Sequence, residues 1–400
     1  MSRLWDKGKP LDARVLAYTA GEDHALDDRL VGYDVEASIA HVEMLAAQGL
    51  VAAQDLAAIR GALAEIAAEH ARGEWRVRLE EEDGQSAIEN RLTARIGAAG
   101  GRIHAGRSRN DQVLAALRLY LRDAAQALRI GALEVAEALT ALAARDGAIR
   151  LPGYSHMQQA MPSTVALWAG GFAAEIRDDA QGLAETARRA GKNPLGSAAG
   201  YGTPNLAVDR EATRRRLGFL EVQEPVTAVQ LSRGKAEAHL LFEITLLTQD
   251  LGRLAADLCL YYTEEFGFIS LPQEFTTGSS IMPQKRNPDV FEIMRGRSAV
   301  AQAALNEVLG LTQKLGSGYH RDLQLIKPPL FRAIDSCAQT LDILPSALAG
   351  VRFRSERIRL DPSIDAAAEA NALVVTEGIA FREAYRRVAA ALSGKKNDEK

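Results

Sequence analysis

One stretch of this chain concentrates the groups needed to hold an anion: Gly278-Ser279-Ser280-Ile281-Met282-Pro283-Gln284-Lys285-Arg286-Asn287-Pro288. The glycine gives mobility and leaves backbone N–H groups free to turn toward negative charge. Two serines supply hydroxyls, and Lys285 and Arg286 supply positive charge. Asn287 stands just before a helix start at Pro288, where the helix dipole also favours anions. The run suits a carboxylate-binding loop, although its composition alone equally fits a solvated basic loop.

The seven histidines are the other groups able to move protons near neutral pH. His24, His41, His70, His239 and His320 have no motif support or only a side role, and His104 lies near the Asn110 loop. His156 follows Gly153-Tyr154-Ser155 in a non-helical stretch between two long helical patterns. Only two cysteines occur, Cys259 and Cys337, which excludes a disulfide framework and a multi-cysteine zinc site. Both read as buried, inert thiols.

The scaffold that must position these groups reads as helical. The 400 residues suffice for two or three average domains, and 47% apolar residues build a sizeable core. Aromatics are only 6% and alanine recurs in runs, which favours helix over sheet. Forty-eight Lys and Arg against 52 Asp and Glu give a net charge of −4, which argues against a nucleic-acid binder or a polybasic membrane anchor. No stretch approaches the ~20 apolar residues of a membrane span. Met1-Ser2-Arg3 is followed by Trp5-Asp6-Lys7 rather than an apolar leader core, so a soluble cytoplasmic protein is expected.

Periodicity predicts helices at about 35–49 and 53–71, and a short one through Ile88, Leu92 and Ile96. Five long helices follow: 111–145, 162–190 with Pro162 in its first turn, 232–266, 288–314, and 329–344 ending before Pro345. Stretches 100–110, 151–161, 191–205, 267–287 and 316–322 interrupt this pattern with much of the Gly and Pro, and strand signals are weak. Residues 393–400 read as a frayed tail. The expected fold is all-α: a small N-terminal helical domain over 1–105, a central long-helix bundle over 106–349, and a C-terminal helical domain with tail over 350–400. Helices this long expose large apolar faces in a monomer, which implies a homo-oligomer that merges its bundles.

The 278–288 segment has the form GSSxMPxKxNP and resembles the signature of the fumarase/aspartase superfamily. Within it, the chain is similar to the argininosuccinate lyases and their lens relatives, the delta crystallins. The similarity rests on Gly106-Arg107-Ser108-Arg109-Asn110-Asp111-Gln112, on Gly153-Tyr154-Ser155-His156-Met157-Gln158, on the stretch from Gly191 to Asn205, and on Tyr319-His320-Arg321-Asp322-Leu323-Gln324 with Lys327. It runs from about Ala17 to Tyr385.

The resemblance implies elimination of fumarate from argininosuccinate without metal or cofactor, in a cytoplasmic homotetramer whose sites each draw on different chains. Removing a proton next to a carboxylate builds a doubly charged aci-carboxylate, which needs fixed positive charge and donors. The resemblance assigns that clamp to Lys285 and Asn287, and the acid and base to Ser279 and His156. Either of the two can be the base. Glu292 is expected to pair with the histidine and raise its basicity. Asn110 and Ser155 are expected to bind polar groups of the substrate, Tyr319, Gln324 and Lys327 its succinyl or arginine end, and Arg107 a carboxylate. An N-terminal contact falls near Asp23.

Three positions depart from the family pattern: Ser155 replaces threonine and keeps the hydroxyl, Gln159 replaces arginine, and Gln85 replaces histidine. Lyases acting on fumarate, aspartate or adenylosuccinate share the 278–288 loop. The 107–112 run and the Gln324/Lys327 segment favour argininosuccinate. A non-catalytic crystallin-like protein would have no need of Ser279, Lys285, Asn287 and His156.

Overall fold

The computed structural model describes residues 12–398, with side chains through 393. Residues 1–7, on which the expectation about a leader rests, lie outside the described residues. Helix dominates. The N-terminal helices are α1 (Ala13–Ala20), α2 (Asp23–Asp27), α3 (Val31–Ala47), α4 (Ala53–Ala71) and α5 (Gly84–Ile96). Asp12 caps α1 by accepting from the Arg14 and Val15 N–H groups, and Asp83 caps α5 through the Ser86 N–H at 2.8 Å.

Then come α6 (Arg109–Asp146), α7 (Val165–Ala190), the short α8 (Arg210–Leu217), α9 (Lys235–Tyr262), α10 (Asp289–Thr312) and α11 (Lys327–Gly350). A C-terminal pair, α12 (Ala366–Glu377) and α13 (Phe381–Asp398), completes the chain. The 38 residues of α6 span roughly 57 Å at the ordinary rise.

The chain divides into two compact units. Among the described residues, the first holds 12–130, 179–248 and 298–339, and the second holds 131–178, 249–297 and 340–398. Every crossing between them falls inside one of the five long helices α6, α7, α9, α10 and α11.

In the first unit, α3, α4 and α5 close around Val35, Val42, Leu45, Ile59, Leu63 and Leu92, all buried. A second cluster uses small residues, Ala37, Ala40 and Ala115, beside Leu119, Leu195 and Phe219. Alanine there lets helical backbones approach closely. The 191–205 stretch is fastened to the start of α6 by Asp111. Its Oδ2 accepts from the Gly196 and Ala198 N–H groups at 3.0 and 2.9 Å, and its Oδ1 accepts from Ser108 N–H at 3.0 Å. Burial pushes this carboxyl up to about 6, against the pull of those donors. Gly196 has φ +81°, and a Cβ there would lie 2.8 Å from Arg210 Cγ, so only glycine fits.

In the second unit, Trp168, Tyr261, Phe268 and Phe353 stack edge-on or tilted, and the Trp168 indole N–H donates to Asp257 at 2.9 Å. Ala370, Ala384 and Val388 form the buried seam of α12 and α13.

Three local expectations are corrected. Residues 151–161 belong to an antiparallel hairpin, β1 (Arg150–Ser155) and β2 (Gln158–Thr164), with an irregularity at Gly153/Tyr154. Pro162 therefore sits in β2 opposite Pro152, and α7 starts at Val165. Pro345 does not end α11. The helix runs on to Gly350, because Leu341, Leu344, Ala347 and Leu348 keep its buried face continuous. At the C-terminus the backbone stays helical to Asp398 rather than fraying from Ser393.

Candidate active site

The second unit carries the residues expected to do the chemistry. His156 and Met157 are the two central residues of the β1–β2 turn, with φ +52° and +60°. Both lie in the left-handed region that a two-residue type I′ turn demands and that Asn-Gly usually fills. A histidine held there is uncommon, and such strain concentrates at functional sites. The turn presents His156 to solvent at the tip of the hairpin, next to exposed Ser155.

The 278–288 run forms a loop pinned at its base. Thr277 and Asn287 exchange both backbone hydrogen bonds, at 3.1 and 2.9 Å. The Asn287 amide donates to Thr277 Oγ1 at 3.3 Å, and Thr277 Oγ1 in turn bonds Asp289. Inside the loop, the Ser279 hydroxyl oxygen accepts from the Ile281 and Met282 N–H groups at 3.3 and 3.2 Å. Two amides thus point at the one oxygen that would carry negative charge if Ser279 lost its proton. Lys285 is exposed, with no ion-pair partner among the described residues. Glu292, one turn into α10, is exposed and faces Arg295 at 3.9 Å. Within one chain no hydrogen bond joins it to His156, nor His156 to Ser279.

The first unit holds a separate polar pocket. It gathers Asp23, Asn110, Tyr319, Gln324 and Lys327, five of the residues expected to bind substrate. Lys327 is 3% exposed, and its ammonium lies 2.5 Å from a carboxylate oxygen of both Asp23 and Asp27. Its pKa is raised: the two carboxylates outweigh the opposing effect of burial. Burial pushes Asp23 up to about 7, with neighbouring Asp27 and Asp83 adding to the rise and Lys327 opposing it. The Gln324 side-chain N–H₂ donates to the Thr19 and Ala20 carbonyls, both at 3.0 Å, which fixes the end of α1 beside Asp23.

Arg107 stands outside this lining. It is buried, donates to Ser38 Oγ at 2.8 Å, and belongs to a network around buried Asp34 that includes Gln85 and Gln112. Gln85 borders the pocket and donates to Asp34 at 2.8 Å.

The pocket also contains Glu82, Asp83, Arg109, Arg233 and Arg321, which the sequence reading did not single out as site residues. Arg109 lies two residues from Arg107 in the same motif and donates to Asp83 at 2.6 Å. Periodicity does not separate the two: it puts both in the non-helical 100–110 stretch, whereas Arg109 is the first residue of α6 and Arg107 precedes it. Arg321 lies inside the Tyr319–Gln324 motif, whereas Arg233 and the adjacent pair Glu82 and Asp83 come from two other segments and carry no spacing signal.

The chain matches the family model described as Lyase over residues 10–303. It is 46% identical to an argininosuccinate lyase of Sorangium cellulosum, over 98% of this chain and 91% of that protein. It is 42% identical to an argininosuccinate lyase of Stenotrophomonas maltophilia, over 97% of this chain and 90% of that one. Among solved structures it is similar to EDDS lyase in complex with formate, with TM-score 0.79 and 25% identity over 98% of this chain and 78% of that one. The class II fumarase of Schistosoma mansoni shares the fold at TM-score 0.79 and 16% identity, over 97% and 91% of the two chains. The all-α reading of the sequence holds, and the chain belongs to the lyase family that includes the argininosuccinate lyases.

Proposed function

We propose that this protein is an argininosuccinate lyase, catalysing the reversible elimination of argininosuccinate to arginine and fumarate, the last step of arginine biosynthesis. The observation that carries the mechanism is the Ser279 oxygen accepting from two loop amides at 3.3 and 3.2 Å. A serine hydroxyl is a poor base unless its oxyanion is stabilised. Those donors supply that stabilisation, which favours Ser279 as the base that takes the Cβ proton and His156 as the acid that protonates the leaving guanidino nitrogen. Lys285 and Asn287 hold the doubly charged aci-carboxylate as it forms. Exposed His156, Lys285 and Glu292 are completed by other copies of the chain in a homotetramer, where Asn110, His156 and Ser279 of one site come from different subunits and Glu292 reaches a histidine.

The first-unit pocket takes the arginine end, using Asn110, Tyr319 and the Asp23–Lys327 pair, with Gln324 holding Asp23's surroundings in place. Ser155 adds a hydroxyl beside His156. Arg107 acts from beneath, by fixing the Asp34 network on which Gln85 rests. The enzyme is cytoplasmic, in keeping with the absence, among the described residues, of any helix long and apolar enough to cross a membrane. Incubation with argininosuccinate, followed by fumarate absorbance, tests the reading. Release should occur from argininosuccinate and not from malate, aspartate or adenylosuccinate. Equal or faster release from any of those three would overturn it.

A further inference from the structure

Arg233 is 6% exposed, yet its Nε and Nη1 atoms have no hydrogen-bond partner. A buried guanidinium with two idle donors is costly unless something absent completes it. A second buried guanidinium lies close to it. Arg118, also buried, donates its two terminal nitrogens to the Lys192 carbonyl and to Ser232 Oγ and leaves only Nε unpartnered, and Glu237 is the acid that acts on it. Burial lowers Arg118 to about 10, with Glu237 opposing the fall and the nearby charge of Arg233 adding to it.

Arg233 borders the first-unit pocket, with its Cζ 6.0 Å from the centre of the Tyr319 ring. Gln230, one turn earlier, likewise has both amide atoms buried without partners. Arg233 also borders a second, more open cavity beside Lys235 and His239. The Tyr319 contact ties it to the first.

We propose that Arg233 is a specificity-determining residue that binds the α-carboxylate of the arginine end of the substrate. This rests on the reading of the pocket given above. The arginine end is a zwitterion: Asp23 and Asp83 suit its ammonium, and a fork of N–H donors suits its carboxylate. The pocket then distinguishes an α-amino acid from the corresponding amine.

The test compares arginine with agmatine, which lacks only that carboxylate, as inhibitors of argininosuccinate cleavage. In Arg233→Met, arginine should inhibit about 30-fold more weakly or worse, the low end for removing one partner of a buried charged pair. Agmatine should change by less than about 3-fold. Arg233→Lys should recover part of the arginine affinity. If turnover is too low to measure inhibition, calorimetric Kd values for the same two ligands replace it.

Equal weakening of both ligands overturns the proposal. So does loss of the tetramer on sizing, which would place Arg233 against a partner subunit, and so does unchanged arginine preference. A wild-type protein that cleaves no argininosuccinate would instead overturn the reading on which this one rests.

Discussion

Lys327→Met removes the ammonium that lies 2.5 Å from both Asp23 and Asp27 while keeping the side chain's length. Two buried carboxylates are then left facing each other without a cation. Uncompensated buried charge of this kind costs about 3–5 kcal/mol. The structure also sets a ceiling, because one proton shared between the two oxygens relieves most of the repulsion. Protonating a carboxyl of ordinary pKa 3.8 costs about 1.36 kcal/mol per pH unit above that value. The ceiling is therefore about 5.7 kcal/mol at pH 8 and about 1.6 kcal/mol at pH 5.

The sign follows from the direction of the shift. A carboxyl whose folded pKa is raised contributes stability that is present below 3.8 and lost as the pH rises through the raised value. The gap between wild type and variant should thus narrow as the pH falls. Urea unfolding at fixed protomer concentration reads it directly. Adding Asp27→Asn to Lys327→Met should restore stability at pH 8, whereas Asp27→Asn alone should cost stability. A gap under about 1 kcal/mol at pH 8, or one that does not narrow by pH 5, would refute the account.

Other outcomes follow from the second unit. Lys285→Met should lower kcat by at least ~10²-fold, the low end for a lost oxyanion donor, and a raised KM at constant kcat would reduce Lys285 to uniform binding. Co-assembled His156→Asn and Ser279→Ala subunits should regain about a quarter of wild-type activity if each site draws the two residues from different chains of a symmetric tetramer. No recovery in verified mixed tetramers would place both residues in one chain. Saturating arginine and fumarate should suppress proteolytic nicking near Thr277, where Gly278 opens the loop, and equal nicking with and without them would show that the loop does not close.

How much the sequence disclosed can be judged element by element. The 53–71 helix and the five long helices are legible because their apolar residues recur with a helical period that their buried faces obey. The 150–164 hairpin is not. Its turn residues are His156 and Met157 rather than Asn-Gly, its strands hold two facing prolines, and little of it is β-branched. Pro345 misleads for the opposite reason, since packing on both sides of it overrides a local preference. At the site, contiguous motifs point to Ser279, His156 and Asn110. Arg321 comes with the Tyr319–Gln324 motif, but Arg233, Glu82 and Asp83 reach the pocket only through tertiary folding.

Because each passage from one unit to the other runs through the middle of a helix, the boundaries are poor places for genetic recombination. A crossover at residues 130/131, 178/179, 248/249, 297/298 or 339/340 would splice half of one helix to half of another and demand a matched register on both sides. Chimeras between this enzyme and a distant relative should therefore survive when joined in the loops at 147–149 or 263–268, and fail when joined at the unit boundaries. On this scaffold new specificities are expected to arise by substitution within the loops, not by exchange of whole units.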